Sequence, residues 1–414
     1  MRILFLSNMY PPHDIGGYEQ WCQEVADALR GRGHAVEILT SRHGIDRPAT
    51  RPPVDGVSRV LHLQSDLDYY RPADFFLRRA ARERANVRYL REVIDRFRPD
   101  VAMVWGMWNL SHAVPFWLER LMPGRVAYYI SSYWPADPDP HSQYWRLPAR
   151  HALTEQLKRP MRALALAQLR RQCDPPPLLL DHAVCCSQFV RDTLVTAGKL
   201  PPSARVLHGG IDAAPFTPRN ASVDPAPRDP LRLVYFGRLI EDKGVHTALE
   251  ALGLLKPQAG AARVELTVLG SGPPEYEARL RAMTVALGIG EQVRFVGKVQ
   301  RAEVPAWLGQ FDVFLFTSIW PEPLARTLME AMAAGLVVVG TDTGGSPEIF
   351  SHFDENLLFG AGDARALADR LTRLMGDDAL RRRLAQRGRD VARTHFSLDR
   401  MVRAVEAHLA AVVG

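Results

Sequence analysis

Two carboxylates eight positions apart, Glu322 and Glu330, stand in the stretch Pro321-Glu322-Pro323-Leu324-Ala325-Arg326-Thr327-Leu328-Met329-Glu330-Ala331-Met332-Ala333-Ala334-Gly335. The first lies between prolines, the second in a run of helix formers that stops at a glycine. In one continuous helix the two side chains would point about 80° apart and sit ~12 Å apart along the axis, too far to share a small substrate. A helix with Pro323 at its first position instead leaves Glu322 in the preceding loop and Glu330 about two turns in. The helix N-terminus then lies between them. Its N–H groups at Leu324, Ala325 and Arg326, with the positive end of the helix dipole, suit a phosphate. A sugar on one side of a diphosphate and a ribose on the other would fit. Read alone, the stretch is equally an amphipathic helix with a glutamate near each end.

Tyr235-Phe236-Gly237-Arg238-Leu239-Ile240-Glu241-Asp242-Lys243-Gly244 forms a second element. Leu231 to Phe236 reads as a buried parallel strand, and Gly237 and Gly244 bracket a tight connection before a helix beginning near Val245. Arg238 and Lys243 would point at whatever lies beyond the strand's carboxyl end, where open α/β sheets bind ligands. Only five lysines accompany 47 arginines in the chain, so a lysine here is a selective placement. A solvated surface pair is the plain alternative. The chain opens on a short apolar strand, Arg2 to Leu6, then runs from Asn8 through Asp14, Ile15, Gly16 and Gly17 into a helix reaching Arg30. Strand, glycine loop and helix make the first unit of a nucleotide-type α/β domain, and paired glycines admit a phosphate close to backbone.

The Glu-seven-residues-Glu element resembles the signature of glycosyltransferase family 4, whose members are retaining enzymes of the GT-B fold. That resemblance implies two Rossmann-like α/β domains facing a cleft, with a C-terminal helix crossing back to the first domain. It implies that Arg238 and Lys243 clamp the donor diphosphate, Glu322 orients the hexose, and Glu330 accepts hydrogen bonds from the ribose. The segments ending at Gly270 and at Gly297-Lys298 resemble the family's strand ends beside the nucleotide base, and Thr341 to Glu348 matches the turn after the next strand. Gly16, Gly17, Gly237 and Pro323 join the donor-binding set. The implied reaction moves a hexose-type sugar, most simply from a UDP-sugar, to a hydroxyl on a glycan, glycolipid or small aglycone, with retained configuration and no metal or other cofactor. Alternatives on the same fold are a nucleotide-sugar epimerase, a phosphorylase, or a non-catalytic sugar-binding protein. Asp137-Pro138-Asp139 has metal-motif spacing but falls in the acceptor domain and reads as loop.

The resemblance breaks after Arg125 to Ile130. Many relatives carry there a histidine that reaches the donor sugar; this chain has Ser131-Ser132-Tyr133-Trp134. His141 and His112 are the nearest imidazole candidates for that role. Ser131, Ser132, Tyr133, Trp134 and Trp105 are the acceptor-side candidates, the aromatic rings suggesting a stacking platform or simply core.

These elements need two domains, and 414 residues with 47% apolar content supply two cores. The boundaries read as 1–213 for an acceptor-binding domain, 214–230 for a proline-rich linker, 231–390 for a nucleotide-sugar domain, and 391–414 for the returning helix. No apolar run approaches a membrane span, and the N-terminal apolar run is too short for a signal peptide. Four cysteines with no C-x-x-C spacing fit a reducing cytoplasm. The net charge of +6 belongs wholly to residues 1–200. Arg71 to Arg98 holds nine cations against four anions, and Arg146 to Arg171 seven against one. The first stretch repeats Phe76, Ala80, Val87, Leu90, Ile94 and Phe97 at helical spacing with Tyr69, Tyr70 and Phe75 at its start. It reads either as a face for an anionic membrane, through Arg78, Arg79, Arg82 and Arg88, or as a solvated helix. No nucleic-acid module accompanies these charges, so nucleic acid is not an expected partner.

Overall fold

The computed structural model describes residues 1–13, 16–45, 56–67, 69–149, 151–171, 177–216, 230–255 and 264–414. Asp14 and Ile15 of the first glycine loop, and 217–229 of the expected linker, lie outside the described residues. The chain divides into two compact units: Met1–Leu207 with Val402–Gly414, and His208–Met401.

The first unit runs β1 (Arg2–Ser7), α1 (Gly17–Gly31), β2 (Ala35–Ser41), β3 (Val57–Leu61), α2 (Pro72–Leu77), α3 (Arg79–Phe97) and β4 (Val101–Val104). It continues through α4 (Ala113–Leu121), β5 (Val126–Ile130), α5 (Pro140–Arg146), α6 (Ala152–Arg171), β6 (His182–Cys185), α7 (Gln188–Thr196) and β7 (Arg205–Val206). Its strands pair in parallel in the order β3-β2-β1-β4-β5-β6-β7. Helices cover both faces of such a sheet, so β1, β4 and β5 are near-continuous apolar runs without polar alternation.

The second unit begins with β8 (Leu231–Phe236), α8 (Val245–Leu254), β9 (Val264–Leu269), α9 (Pro274–Ala286), β10 (Val293–Gly297), α10 (Val304–Leu308) and β11 (Val313–Phe316). It goes on with α11 (Arg326–Ala333), β12 (Val337–Thr341), α12 (Ser346–Ser351), β13 (Leu358–Phe359), α13 (Ala364–Met375) and α14 (Asp378–Thr394). The strand order is β10-β9-β8-β11-β12-β13, again parallel. The order reverses between β1 and β4 in one sheet and between β8 and β11 in the other. At such points the loops leaving the carboxyl ends diverge to opposite faces and open a crevice. The second crevice is therefore bounded by the loops after β8 and β11, which carry Lys243 and Glu322.

The last helix, α15 (Leu398–Val413), starts in the second unit and returns to the first. There Glu406 meets Arg32 at 2.6 Å and His34 at 2.7 Å, while His408 accepts from Arg205 at 2.7 Å. The two Rossmann-like domains and the returning helix are those the sequence resemblance implied.

One helical expectation needs correction. The Arg71–Arg98 stretch is broken at Arg78 into α2 and α3. Its cations are also largely spoken for: Arg82 pairs with Asp74 at 2.8 Å, Arg78 with Asp74 at 3.5 Å and Arg88 with Glu92 at 3.5 Å. Arg79 is buried, its guanidinium 5.0 Å from the centre of the Phe75 ring.

Candidate functional site

In the second unit, glycines carry the sheet's hydrogen bonding past the strand ends. Gly237 N–H donates to Leu269 O at 3.0 Å, Leu239 N–H to Ser271 O at 3.0 Å, and Gly270 N–H to Gly297 O at 2.8 Å. Gly270 has φ +145°, and a Cβ there would fall 1.8 Å from Gly237 O, so no side chain can replace it without parting the two segments. Lys298, just beyond, is exposed. Arg238 is exposed too, its carbonyl accepting from the Tyr235 hydroxyl at 2.8 Å.

The chain then turns through Glu241–Lys243 and enters α8 at Gly244, whose φ is +63°. This loop is docked onto the end of β11. Ile319 and Trp320 N–H donate to Asp242 O at 2.8 and 3.0 Å, and Thr317 Oγ1 donates to Lys243 O at 2.9 Å. A Cβ at Gly244 would lie 2.0 Å from Thr317 O, which makes the docking conditional on glycine. The result is an ion pair between Lys243 Nζ and Glu322 Oε1, both side chains about four-fifths buried. Ser318 Oγ donates to the same carboxylate oxygen at 3.3 Å.

Burial, then the nearby charge of Arg238, pushes the Lys243 ammonium down to about 8. The Asp242 carboxylate opposes that shift. Lys243 thus carries its charge at neutral pH, and Arg238 and Lys243 together concentrate positive charge at the mouth of the crevice.

Glu322 lies in a loop, as expected, but α11 does not start at Pro323. Ala325 is the extended residue before the helix and Arg326 the first helical one, so the first turn spans 326–328 rather than 324–326. The reason is tertiary. Had Pro323 begun the helix, Glu322 O would have accepted the first intrahelical bond; instead it accepts from Gly345 N–H at 2.8 Å. Gly344, at φ +59°, permits this approach, because a Cβ there would stand 2.1 Å from Glu322 O. Leu324 and Ala325 are consequently buried in the connection. No side chain caps α11 and no acidic residue occupies its first turn, which leaves the positive end of its dipole uncompensated.

Glu330 is fully buried. Arg326 Nε donates to its Oε1 at 2.7 Å, and Arg301 Nη1 to its Oε2 at 2.8 Å with a second Arg301 contact to Oε1. Burial alone would raise its carboxyl, but the Arg301 hydrogen bond and the Arg326 charge outweigh it and hold it below the usual carboxylate range. Arg301 is the solvent-facing member of this cluster, 35% exposed against 1% for Glu330. Sequence reasoning missed Arg301 because nothing local marks a partner 29 positions away. Ser318 was missed as well, although its place just after the apolar run of β11, at the strand-order reversal, is a usable signal.

In the first unit, Gly16 precedes α1 and Gly17 opens it, at the carboxyl end of β1. Asn8 N–H donates to Gly106 O at 2.8 Å, joining the loops after β1 and β4 at the other strand-order reversal. Of the acceptor-side candidates, Ser131 and Ser132 are half-buried and Tyr133 is buried. Trp134 is buried edge-on against His112, with ring centres 5.2 Å apart. Trp105 is a correction: it is fully buried, 4.7 Å from Tyr129 and 5.4 Å from Phe5 ring centre to ring centre, and offers no face for stacking. Asp139 caps α5, accepting from His141 N–H at 2.9 Å and Ser142 N–H at 3.2 Å, which accounts for the Asp-Pro-Asp element structurally. His112 and His141 are both held neutral by burial, each pushed down to about 4. His141 lines a small open recess with His62, Asp74, Arg79, Arg82 and Asn86, built from loops and helices after β3 and β5. Its mixture of donors and acceptors suits hydroxyl groups.

Residues 15–214 match the family model described as Glycosyltransferase Family 4, and residues 218–391 match Glycosyl transferases group 1. The amylovoran biosynthesis glycosyltransferase AmsK of Erwinia amylovora is 33% identical over 198 residues, a stretch covering 47% of this chain and about half, 47%, of AmsK. Glycogen synthase of Mycobacterium tuberculosis is 27% identical over 100% of this chain and 96% of its own length. Among solved structures, Anabaena HepE in complex with UDP superposes with a TM-score of 0.68 at 18% identity, covering 99% of this chain and 100% of HepE. Sucrose-phosphate synthase of Thermosynechococcus elongatus gives 0.70 at 17% identity over 98% of both chains. With both domains matched in chain order on the GT-B fold, the chain belongs to glycosyltransferase family 4.

Proposed function

We propose that the protein is a retaining glycosyltransferase that moves a hexose-type sugar from a nucleotide diphosphate sugar, a UDP-sugar by preference, to an acceptor hydroxyl. The observation that carries this reading is the Lys243–Glu322 ion pair set beside Arg238 and the uncapped start of α11 at one strand-order reversal. A diphosphate placed there would take over Glu322 as the counter-ion of Lys243. The exchange would free the Glu322 carboxylate to accept hydrogen bonds from hexose hydroxyls, with Ser318 keeping it aimed. Arg238, Lys243 and the α11 dipole then face the charge that grows on the departing phosphate, which is electrostatic preorganisation. With no base assigned on the far side of the sugar, the acceptor hydroxyl would attack from the leaving-group face as the sugar–phosphate bond breaks, its proton passing to the departing phosphate, and the configuration would be retained. The ribose would be received on the nucleotide side of the site by the Arg301–Glu330–Arg326 cluster, of which Arg301 is the solvent-facing member and Glu330 the carboxylate acceptor.

HepE, whose solved structures include complexes with UDP and with UDP-glucose, supports the choice of donor class. The acceptor hydroxyl belongs with the first unit, at Ser131, Ser132 and the recess lined by His141. Peripheral contact of that unit with an anionic membrane on the cytoplasmic side completes the proposal.

Charge neutralisation by Arg238, Lys243 and a helix N-terminus leaves no role for a metal. Nucleotide release from a panel of UDP-, GDP- and ADP-sugars in the presence of acceptor is expected for at least one donor and is expected to be unchanged by a chelator. Release from no donor would overturn the transferase reading. Release abolished by chelator and restored by magnesium or manganese would overturn the assignment of charge.

A further inference from the structure

Helix α6 carries apolar side chains on two faces. One face is core: Ala165 and Leu169 pack with Phe75 and Trp145, and Lys158 Nζ donates to Tyr144 O at 2.7 Å and Leu147 O at 2.9 Å. The other face is bare. Leu153, Leu157 and Leu164 are 78%, 74% and 62% exposed, and Met161 is 39% exposed. Their spacing of four, four and three residues places them within about 80° of one another around the helix and over ~16 Å of its length. The clamped face prevents the helix from rolling to hide this stripe. An apolar patch of this kind on a fixed helix marks a binding surface.

Charge selects its occupant. Between Arg146 and Arg171 the one acidic residue is Glu155, and its carboxylate is already engaged by Arg162 at 2.9 Å and Arg159 at 3.9 Å. Arg146, Arg159, Arg170 and Arg171 are exposed, Arg171 in line with the stripe just beyond its end and Arg159 and Arg170 around the helix from it. A second copy of the chain would bring an equally cationic rim against this one, which repels across a two-fold contact. An anionic bilayer satisfies both features: the leucines enter the headgroup–acyl boundary and the arginines meet lipid phosphates. Among the described residues no helix is long and apolar enough to cross a membrane, so such a helix would lie on the surface.

We propose that α6 is the membrane-docking element, its Leu153-Leu157-Met161-Leu164 stripe seated in an anionic lipid surface. The inference rests on the membrane contact in the proposed function and relocates it from the paired arginines of α2 and α3.

Co-sedimentation of the full chain with phosphatidylcholine vesicles, with and without about one-third phosphatidylglycerol, tests it. Binding is expected only to the anionic vesicles. A Leu153→Ser, Leu157→Ser, Leu164→Ser variant should lose at least about tenfold in partitioning, because each buried methylene contributes to insertion. Arg170→Glu with Arg171→Glu should weaken binding and flatten its dependence on salt. Since the leucines are already in solvent, the triple variant should keep the wild-type melting temperature. No binding to anionic vesicles, wild-type binding by the triple variant, or a dimer in light scattering that the triple variant dissolves would each overturn the proposal. Nucleotide release measured in vesicle-free buffer is expected to be the same for all variants. Its absence throughout would count against the transferase reading and leave the docking result standing.

Discussion

Lys243→Ala is expected to lower kcat by about a hundredfold or more while leaving the chain folded. Removing a cation aimed at charge that develops in the transition state costs roughly 3 kcal/mol, and little of it appears in ground-state binding. Arg238→Ala should act in the same direction. The wild-type pH profile offers an independent reading. Lys243 is charged below its pKa, so kcat/KM should fall as pH rises through about 8, and the Lys243→Ala variant should lack that limb. Steady-state kinetics across pH checks both. A variant with normal kcat and only a raised KM would make Lys243 a simple binding contact.

Glu330→Ala is expected to act first on stability and nucleotide binding. The substitution leaves Arg326, which is buried, and Arg301 facing each other without their shared carboxylate. Breaking a buried pair by removing one partner costs about 3 to 5 kcal/mol, and the partial exposure of Arg301 favours the low end. Thermal melting should show a fall of roughly 10 °C for a unit of this size. The sign with pH follows from the depressed carboxyl of Glu330. Its contribution is present above the ordinary carboxylate value of about 4 and is lost as pH falls through the lower folded value, so the gap between wild type and variant should close in acid. Where the variant folds, its kcat should fall far less than that of Lys243→Ala while nucleotide affinity drops. A variant that melts like wild type would remove the structural role from the Arg301–Glu330–Arg326 cluster, and one with lower kcat but unchanged nucleotide affinity would reverse the assigned roles.

The strands were legible because a parallel sheet buried on both faces writes itself as short apolar runs, such as Ile3 to Leu6 or Leu231 to Phe236. The loops were legible at Gly244 and Gly270, where positive φ and close backbone contact leave room for hydrogen only. What the sequence hid was tertiary. Pro323 is a good first helical residue, yet the bond from Gly345 to Glu322 O takes the acceptor that a helix starting there would use. Helical periodicity across Arg71 to Arg98 concealed the break at Arg78, since both pieces are amphipathic. The Arg301–Glu330 contact has no local trace. Trp105 illustrates the converse limit: an aromatic after an apolar strand can continue the core or face a ligand, and only packing against Phe5 and Tyr129 decides.

Transfer with retention, driven by charge stabilisation at Arg238, Lys243 and the start of α11, leaves its mark on the anomeric carbon of the product. Proton NMR of the product, recorded early in a reaction with the donor that releases nucleotide, tests it most directly. An anomeric coupling constant matching the configuration of the donor sugar is the predicted result; a product with the inverted anomer would contradict the account.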